Sequence, residues 1–132
     1  KLSNVISING GVQLDLMGQE NAESTGTRQL SGIGGQMDFL EGAYRSKGGK
    51  GFICINSSRV TKDGERKSNI LATIPGGSTI SAPRTMIQYV ATEYGIASLS
   101  GKTLRERAEA MASIAHPDFR EELMKYAQEN FK

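Results

Sequence analysis

The 132 residues carry 16 Lys and Arg against 14 Asp and Glu, for a net charge of +2, and 37% of them are hydrophobic. That is apolar material for one cored domain, residues 1–132, in a chain too short for two ordinary ones. The two signs of charge are interspersed, so neither nucleic acid nor a membrane surface is expected as a partner, whereas a small anion needs only two or three cations and some backbone N–H groups.

The chain starts with Lys1 and passes almost at once into the strand-like Val5-Ile6-Ser7-Ile8, which suggests a segment of something longer. Alternating apolar residues on either side of Asn9-Gly10-Gly11 predict two β-strands joined by a tight turn or bend, the second reaching Leu16. Met17 to Gly35 is polar and glycine-rich and reads as a long loop, of a length that is usually functional or disordered. A short amphipathic helix is expected from about Gln36 to Ala43, with Met37 and Leu40 on its apolar side. After the basic connector Arg45 to Gly51 comes a buried strand, Phe52 to Ile55. It contains the single cysteine, Cys54, which excludes an internal disulfide or a multi-cysteine zinc site, suits a reducing, cytoplasmic setting and reads as a small core residue before it reads as a nucleophile.

Asn56 to Ser68 forms a loop with Arg59, Lys62, Arg66 and Lys67, followed by a strand from about Asn69 to Ile74 that Pro75-Gly76-Gly77 ends. Further strands are expected at Thr79 to Ala82 and Gln88 to Thr92, and a short helix in Gly95 to Leu99. Thr103 and Glu106 have capping-box spacing ahead of the helical face Leu104, Ala108, Met111 and Ala115. Pro117 suits the first turn of a second helix with the stripe Phe119, Leu123, Tyr126 and Ala127. Strands followed by helices define an α/β or α+β domain with its sheet covered by the terminal helices. No run has transmembrane length, and no secretory leader is recognisable at the start.

The segment Leu30-Ser31-Gly32-Ile33-Gly34-Gly35-Gln36 places three glycines just before a helix, where backbone N–H groups can converge on a phosphate or on an oxyanion; a tight loop without a ligand is the equal alternative. A dinucleotide fingerprint would need glycine at Met37, and Gly95 to Thr103 misses P-loop spacing by one residue. Asp15, Glu20, Glu23, Asp38 and Glu93 form no recognisable catalytic pair; Glu93 sits best, at a strand end, though structural or solvated duty is its simpler reading. His116 reads as a cap rather than a base or metal ligand, and no metal-ligand spacing is present. Arg105, Arg107, Arg120, Glu121 and Glu122 read as solvated helix faces.

Several segments in order carry a resemblance that no single motif would: Asp15-Leu16-Met17-Gly18-Gln19, Ala22-Glu23-Ser24, Gly26-Thr27-Arg28-Gln29, Ser31 to Phe39, Val90-Ala91-Thr92-Glu93-Tyr94-Gly95-Ile96-Ala97, Gly101 to Ala108 and Ile114 to Arg120. Together, from about Ile6 to Leu123, they resemble the C-terminal domain of the acetyl-CoA hydrolase/transferase family, which includes 4-hydroxybutyrate, butyrate and succinate:acetate CoA-transferases. The resemblance implies a CoA-transferase-like α/β fold with a mixed or mostly parallel sheet flanked by helices, two of them C-terminal. It implies two-domain enzymes, commonly homodimers, that move coenzyme A from an acyl-CoA to a small carboxylate through a glutamyl-CoA thioester.

In that family the nucleophilic glutamate lies upstream, so this chain would be a C-terminal fragment, inactive without its N-terminal domain. The resemblance places the backbone amides of Gly35 and Gly34 at the thioester oxygen, Ser31 and Gly35 at CoA, and a cation of the Ser57 to Lys67 loop at the CoA phosphates. Lys62 is the choice there, with Arg59 and Lys67 as further candidates in a loop longer and more basic than the common form. Coenzyme A is substrate, and no permanently bound cofactor or metal is implied. Acyl-CoA hydrolysis is the second reading, and a non-catalytic ligand-binding module the third.

Overall fold

The computed structural model describes residues 2–132. In chain order the elements are β1 (Ile6–Gly10), β2 (Gln13–Asp15), β3 (Glu20–Asn21), β4 (Ser24–Thr25), β5 (Arg28–Gln29), α1 (Gln36–Arg45), β6 (Lys50–Cys54), β7 (Ser58–Val60), β8 (Arg66–Ser68), β9 (Ile70–Leu71), β10 (Tyr89–Thr92), β11 (Gly95–Ser98), α2 (Leu104–Ser113) and α3 (Pro117–Asn130). The principal sheet has the order β1-β6-β10-β11, with β1, β6 and β10 parallel and β11 antiparallel to β10. A smaller sheet, β3-β2-β9, lies beside it. This is the mixed sheet with helices that the resemblance implies.

Side chains alternate across the principal sheet. Gly51, Ile53, Val90 and Ala97 are buried on one face, and Ile53, Val90 and Ala97 share a core with Leu40 of α1, Ala108, Met111 and Ala112 of α2, and Leu123 and Ala127 of α3. Gly51 lets α1 settle onto β6, since a Cβ there would stand 3.2 Å from Leu40 Cδ2. Alanines along α2 and α3 allow those helices an equally close approach. The opposite face, with Ile6, Ile8 and Ile96 upon it, is bare.

Both C-terminal helices start where the residue chemistry says they should. The Thr103 backbone N–H donates to Glu106 Oε2 at 2.8 Å and the Glu106 N–H to Thr103 Oγ1 at 3.2 Å. His116 caps α3, its Nδ1 accepting from the Asp118 N–H at 3.2 Å, with Pro117 in the first turn.

Elsewhere the structure corrects the expectations. The two strands around Asn9-Gly10-Gly11 form with a bend between them as expected, but they do not pair with each other: the glycines carry the chain from one sheet to the other, β1 pairing with β6 and β2 with β3 and β9. Met17 to Gly35 is not a free loop, because buried polar side chains fold it into β3 and the β4–β5 hairpin. The strand expected to Ile74 stops at Leu71, and Thr79 to Ala82 makes only an isolated bridge, Ala82 to Glu20. Pro75, Gly76, Gly77 and Pro83 interrupt both. Gly95 to Leu99 forms strand β11 instead of a helix: the Glu93-Tyr94 turn folds it back on β10 and buries Ala97 opposite Val90.

Arg107, read from sequence as a solvated residue, is only 8% exposed. Its guanidinium donates to the carbonyls of Met17, Leu99 and Arg84 at 3.0, 2.9 and 2.7 Å. Burial pushes its pKa down from the usual arginine range. Arg107→Met, which keeps the apolar stem and leaves three carbonyls without their donor, is expected to lower the unfolding free energy by about 3 kcal/mol or more. The urea midpoint falls accordingly while the m-value stays the same.

Candidate functional site

The parallel strands β1, β6 and β10 end together, and ligands of open α/β sheets bind beyond such carboxyl ends. Here Gly11, Cys54, Ile55, Asn56, Ala91, Thr92 and Glu93 line an open cleft of about 400 Å³. The glycine loop belongs to the same edge: α1 runs back toward the start of β6, so its N-terminus stands where the strands finish.

Ser31 to Gly35 is exposed. Gly34 has φ +60°, a left-handed conformation that reverses the chain immediately before the helix. Gly35 is the N-cap of α1 and provides no side-chain acceptor, so the N–H groups of the helix's first turn are open to an outside anion and carry the positive end of the helix dipole. Behind the loop, Glu23 accepts from Gln29 Nε2 at 3.1 Å and from Ser81 Oγ at 2.6 Å, while its carbonyl takes the N–H groups of Leu30 and Ser31. Asn21 Oδ1 accepts the N–H groups of Glu23 and Ser24, each at 3.0 Å. The loop is therefore mounted on a rigid, buried polar frame. Ser31 Oγ donates locally, to the Gly32 carbonyl at 3.2 Å.

Glu20 joins the loop to the sheet. Its carboxyl is fully buried, one oxygen accepting from Gln36 Nε2 at the start of α1 and the other lacking any partner. That second oxygen lies 2.5 Å from where a Cβ on Gly11 would stand, so glycine at 11 lets the Glu20 carboxyl occupy its present place. Burial pushes the Glu20 carboxyl up to about 7; the Gln36 hydrogen bond works against this and neighbouring Glu23 adds to it.

Glu93 is exposed on the other side of the cleft. It accepts the Ser57 N–H at 3.1 Å, and the Ser57 hydroxyl as well. Desolvation tends to raise its pKa, yet the hydrogen bonds from Ser57, together with the charge of His116, outweigh it and hold Glu93 below the usual carboxylate range. Glu93, held below the usual carboxylate range, is thus the ionised group at the cleft mouth, and Glu20 beneath it is a carboxyl raised to about 7.

Lys62 stands exposed in the turn of the β7–β8 hairpin, closed by the Thr61 N–H to Glu65 carbonyl bond at 2.8 Å. Arg59, Arg66 and Lys67 line a different hollow of about 400 Å³, over Ile70 and Phe119. Arg59 is tied to Asn69 Oδ1 at 2.6 Å and Arg66 to Ser58 Oγ at 3.0 Å. The structure thus brings Gly34, Gly35, Glu20 and Glu93 to one edge and gathers three of the cations over a separate hollow. Gln36, Ser57 and Ser81 escape sequence reasoning because their partners lie 16 to 58 residues away with no spacing rule to join them. Among the described residues, no His, Cys, Asp and Glu cluster could hold a metal ion, and no helix is long and apolar enough to cross a membrane.

A glycine loop whose helix N-terminus is open to an anion, beside two carboxylates at the carboxyl edge of a parallel sheet, is an arrangement found in domains of α/β architecture. The chain belongs to the acetyl-CoA hydrolase/transferase family, residues 1–127 matching its C-terminal domain. It is 49% identical over 96% of its length to a butyryl-CoA:acetate CoA-transferase of Anaerostipes caccae, and spans 28% of that protein. It is 32% identical over 92% of its length to an acetyl-CoA hydrolase of Kluyveromyces lactis, of which it spans 22%. Among solved structures, RipA from Yersinia pestis superimposes with a TM-score of 0.83 at 41% identity, over 96% of this chain and 28% of RipA.

Glu20 supplies a prediction with a definite sign. A carboxyl whose folded-state pKa is about 7, against 4.5 when unfolded, holds an extra proton in the folded state between those pH values. Its contribution to stability is therefore intact below about pH 4.5, falls as pH rises toward 7 and stays lost above it. Glu20→Gln, which keeps an acceptor for Gln36, is expected to flatten that part of the stability–pH curve and to raise stability at pH 8 by about 3 kcal/mol, measured by urea unfolding across pH.

Proposed function

We propose that this chain is the CoA-binding, oxyanion-stabilising portion of an acyl-CoA:carboxylate CoA-transferase, a single domain within a longer two-domain polypeptide. The observation that carries the reading is the uncapped N-terminus of α1 behind Gly34 and Gly35, held on a buried polar frame at the carboxyl edge of the parallel strands. It is supported by the relation to a butyryl-CoA:acetate transferase, of which the chain spans little more than a quarter.

In this reading the acyl-CoA lies along the edge with its thioester oxygen at the Gly34 and Gly35 amides. A glutamate carboxylate from outside these residues attacks the thioester carbon, and the N–H groups stabilise the negative charge that moves onto oxygen. Expelled CoA thiolate then captures the glutamyl group as a thioester and releases the donor carboxylate; the acceptor carboxylate reverses the sequence and leaves as its own CoA ester. Fixed backbone dipoles suit this chemistry, because the charge appears only transiently and no proton has to be supplied to it. Ser31 and Lys62 are assigned to CoA, Lys62 as the mobile cation for its phosphates. The domain alone is inactive in this account, because it lacks the nucleophile, and the active enzyme is a cytoplasmic homodimer.

Hydrolysis is the second reading, favoured by the relation to an acetyl-CoA hydrolase; water then resolves the same intermediate. Dependence of CoA release on added carboxylate separates the two.

Gly35→Pro removes one N–H from the cradle, whereas Gly35→Ala keeps it, its Cβ meeting nothing nearer than Phe39 Cε2 at 3.9 Å. In the longer protein, Gly35→Pro is expected to lower kcat roughly 100-fold or more and Gly35→Ala to leave it within a few-fold. Equal losses in the two variants count against the oxyanion role. Lys62→Ala is expected to raise the KM for acyl-CoA with little change in kcat and to weaken the salt dependence of binding, followed by titrating CoA at low and moderate ionic strength.

A further inference from the structure

Strand register aligns Ile6 and Ile8 of β1 with Phe52 and Cys54 of β6, Tyr89 and Ala91 of β10, and Ile96 of β11 on the outward face of the principal sheet. Ile6, Ile8 and Ile96 are 62%, 70% and 62% exposed, and the rings of Phe52 and Tyr89 stack at 4.9 Å in the middle of the patch. Sheets of parallel strands are covered on both faces, and contiguous apolar surface of this kind marks an interface.

The topology says why nothing in these residues covers it. The chain advances across the sheet in one direction, β1 to β6 to β10, and both crossovers lie beneath the same face. The first contributes Leu40 and Ala43 of α1, and the second Ile70, Ala82 and Ile87, to the core on the inner side. Right-handed crossovers taken in one direction always fall on one face, so helices for the other face have to come from strands added in the opposite direction. The unpaired edge of β1 is where such strands can join.

We infer that the outward face is the docking surface for amphipathic α-helices of the same polypeptide outside these 132 residues, connected through strands that add to the free edge of β1. Proteins of this family have the length to supply them, since the chain spans 28% of both the butyryl-CoA:acetate transferase and RipA. The inference rests on the reading that the chain is part of a longer protein, which the intact mass of the natural protein tests separately. It does not depend on which reaction that protein performs.

The test uses the longer protein with single cysteines introduced at Ile8, Ile96 and, as a control on the β7–β8 hairpin, Val60, which is 58% exposed here. Maleimide labelling is followed peptide by peptide by mass spectrometry. Positions 8 and 96 are expected to label roughly 100-fold more slowly than position 60, as groups released only by local opening do. A photocrosslinker at position 8 is expected to join, within one polypeptide, to an apolar helical stripe outside the 132 residues. Labelling at 8 and 96 as fast as at 60 overturns the inference, and so does a crosslink to a second copy or protection that vanishes on dilution to monomer. None of these readouts uses CoA, so an inactive longer protein would count against the transferase reading and leave this result standing.

Discussion

Three stretches of backbone far apart in sequence meet on one guanidinium. Arg107, carried by α2, binds the Met17 carbonyl after β2, the Leu99 carbonyl after β11 and the Arg84 carbonyl between the sheets. Each of those carbonyls lies outside the strands, with no ladder partner, and each would be costly to leave dry. The Asp15 to Gln19 turn is closed from within by Asp15, whose Oδ1 accepts the N–H groups of Met17 and Gln19, but it is Arg107 that anchors it to the helical layer. Since β3 begins at Glu20, this attachment helps to place that buried carboxyl, and through Gln36 the start of α1, together with the pairing of Glu20 to Leu14 and its bridge to Ala82.

The frame behind the glycine loop is built in the same way, from buried polar groups instead of apolar ones. Asn21, Glu23, Ser24 and Ser81 bond one another and the local backbone, and the loop they support is exposed from Ser31 to Gly35. Such a network specifies geometry more sharply than packing does, because each hydrogen bond fixes direction as well as distance. Glu20 is the member with an unpartnered oxygen, and its raised pKa records the cost of placing a carboxyl there. Stability is given up at the point where the first turn of α1 is positioned.

What could be read from the residues follows the range of the interactions. Helices α2 and α3 are legible nearly to their ends, because Thr103, Glu106, His116 and Pro117 act on neighbours within a turn. The buried strand β6 and the helix opening at Gln36 are legible for the same reason, apolar run and period being local signals. Strand β11 is misread as a helix because its fate is decided by pairing with β10, and the polar segment after Met17 looks shapeless because its partners, Ser81 and Ala82, lie some 60 residues on. Arg107 looks like a surface residue because it stands among the charged residues Arg105, Glu106 and Glu109, whereas its partners are carbonyl groups, which every residue possesses. At the site, the glycine loop announces itself and its relation to Glu20, Ser57 and Glu93 does not.

An α-helix without a side-chain cap is a weak point in a fold. Helix α1 has Gly35 as its N-cap and no side-chain acceptor for its first amides, where a serine or aspartate would commonly add a few tenths of a kcal/mol over glycine. Those amides, in an uncapped first turn, are expected to exchange their hydrogens before the core opens. An anion resting there acts as the absent cap. Under the proposed function, ligand binding and ordering of that turn would be one event, and the loop would be at its most precise when occupied.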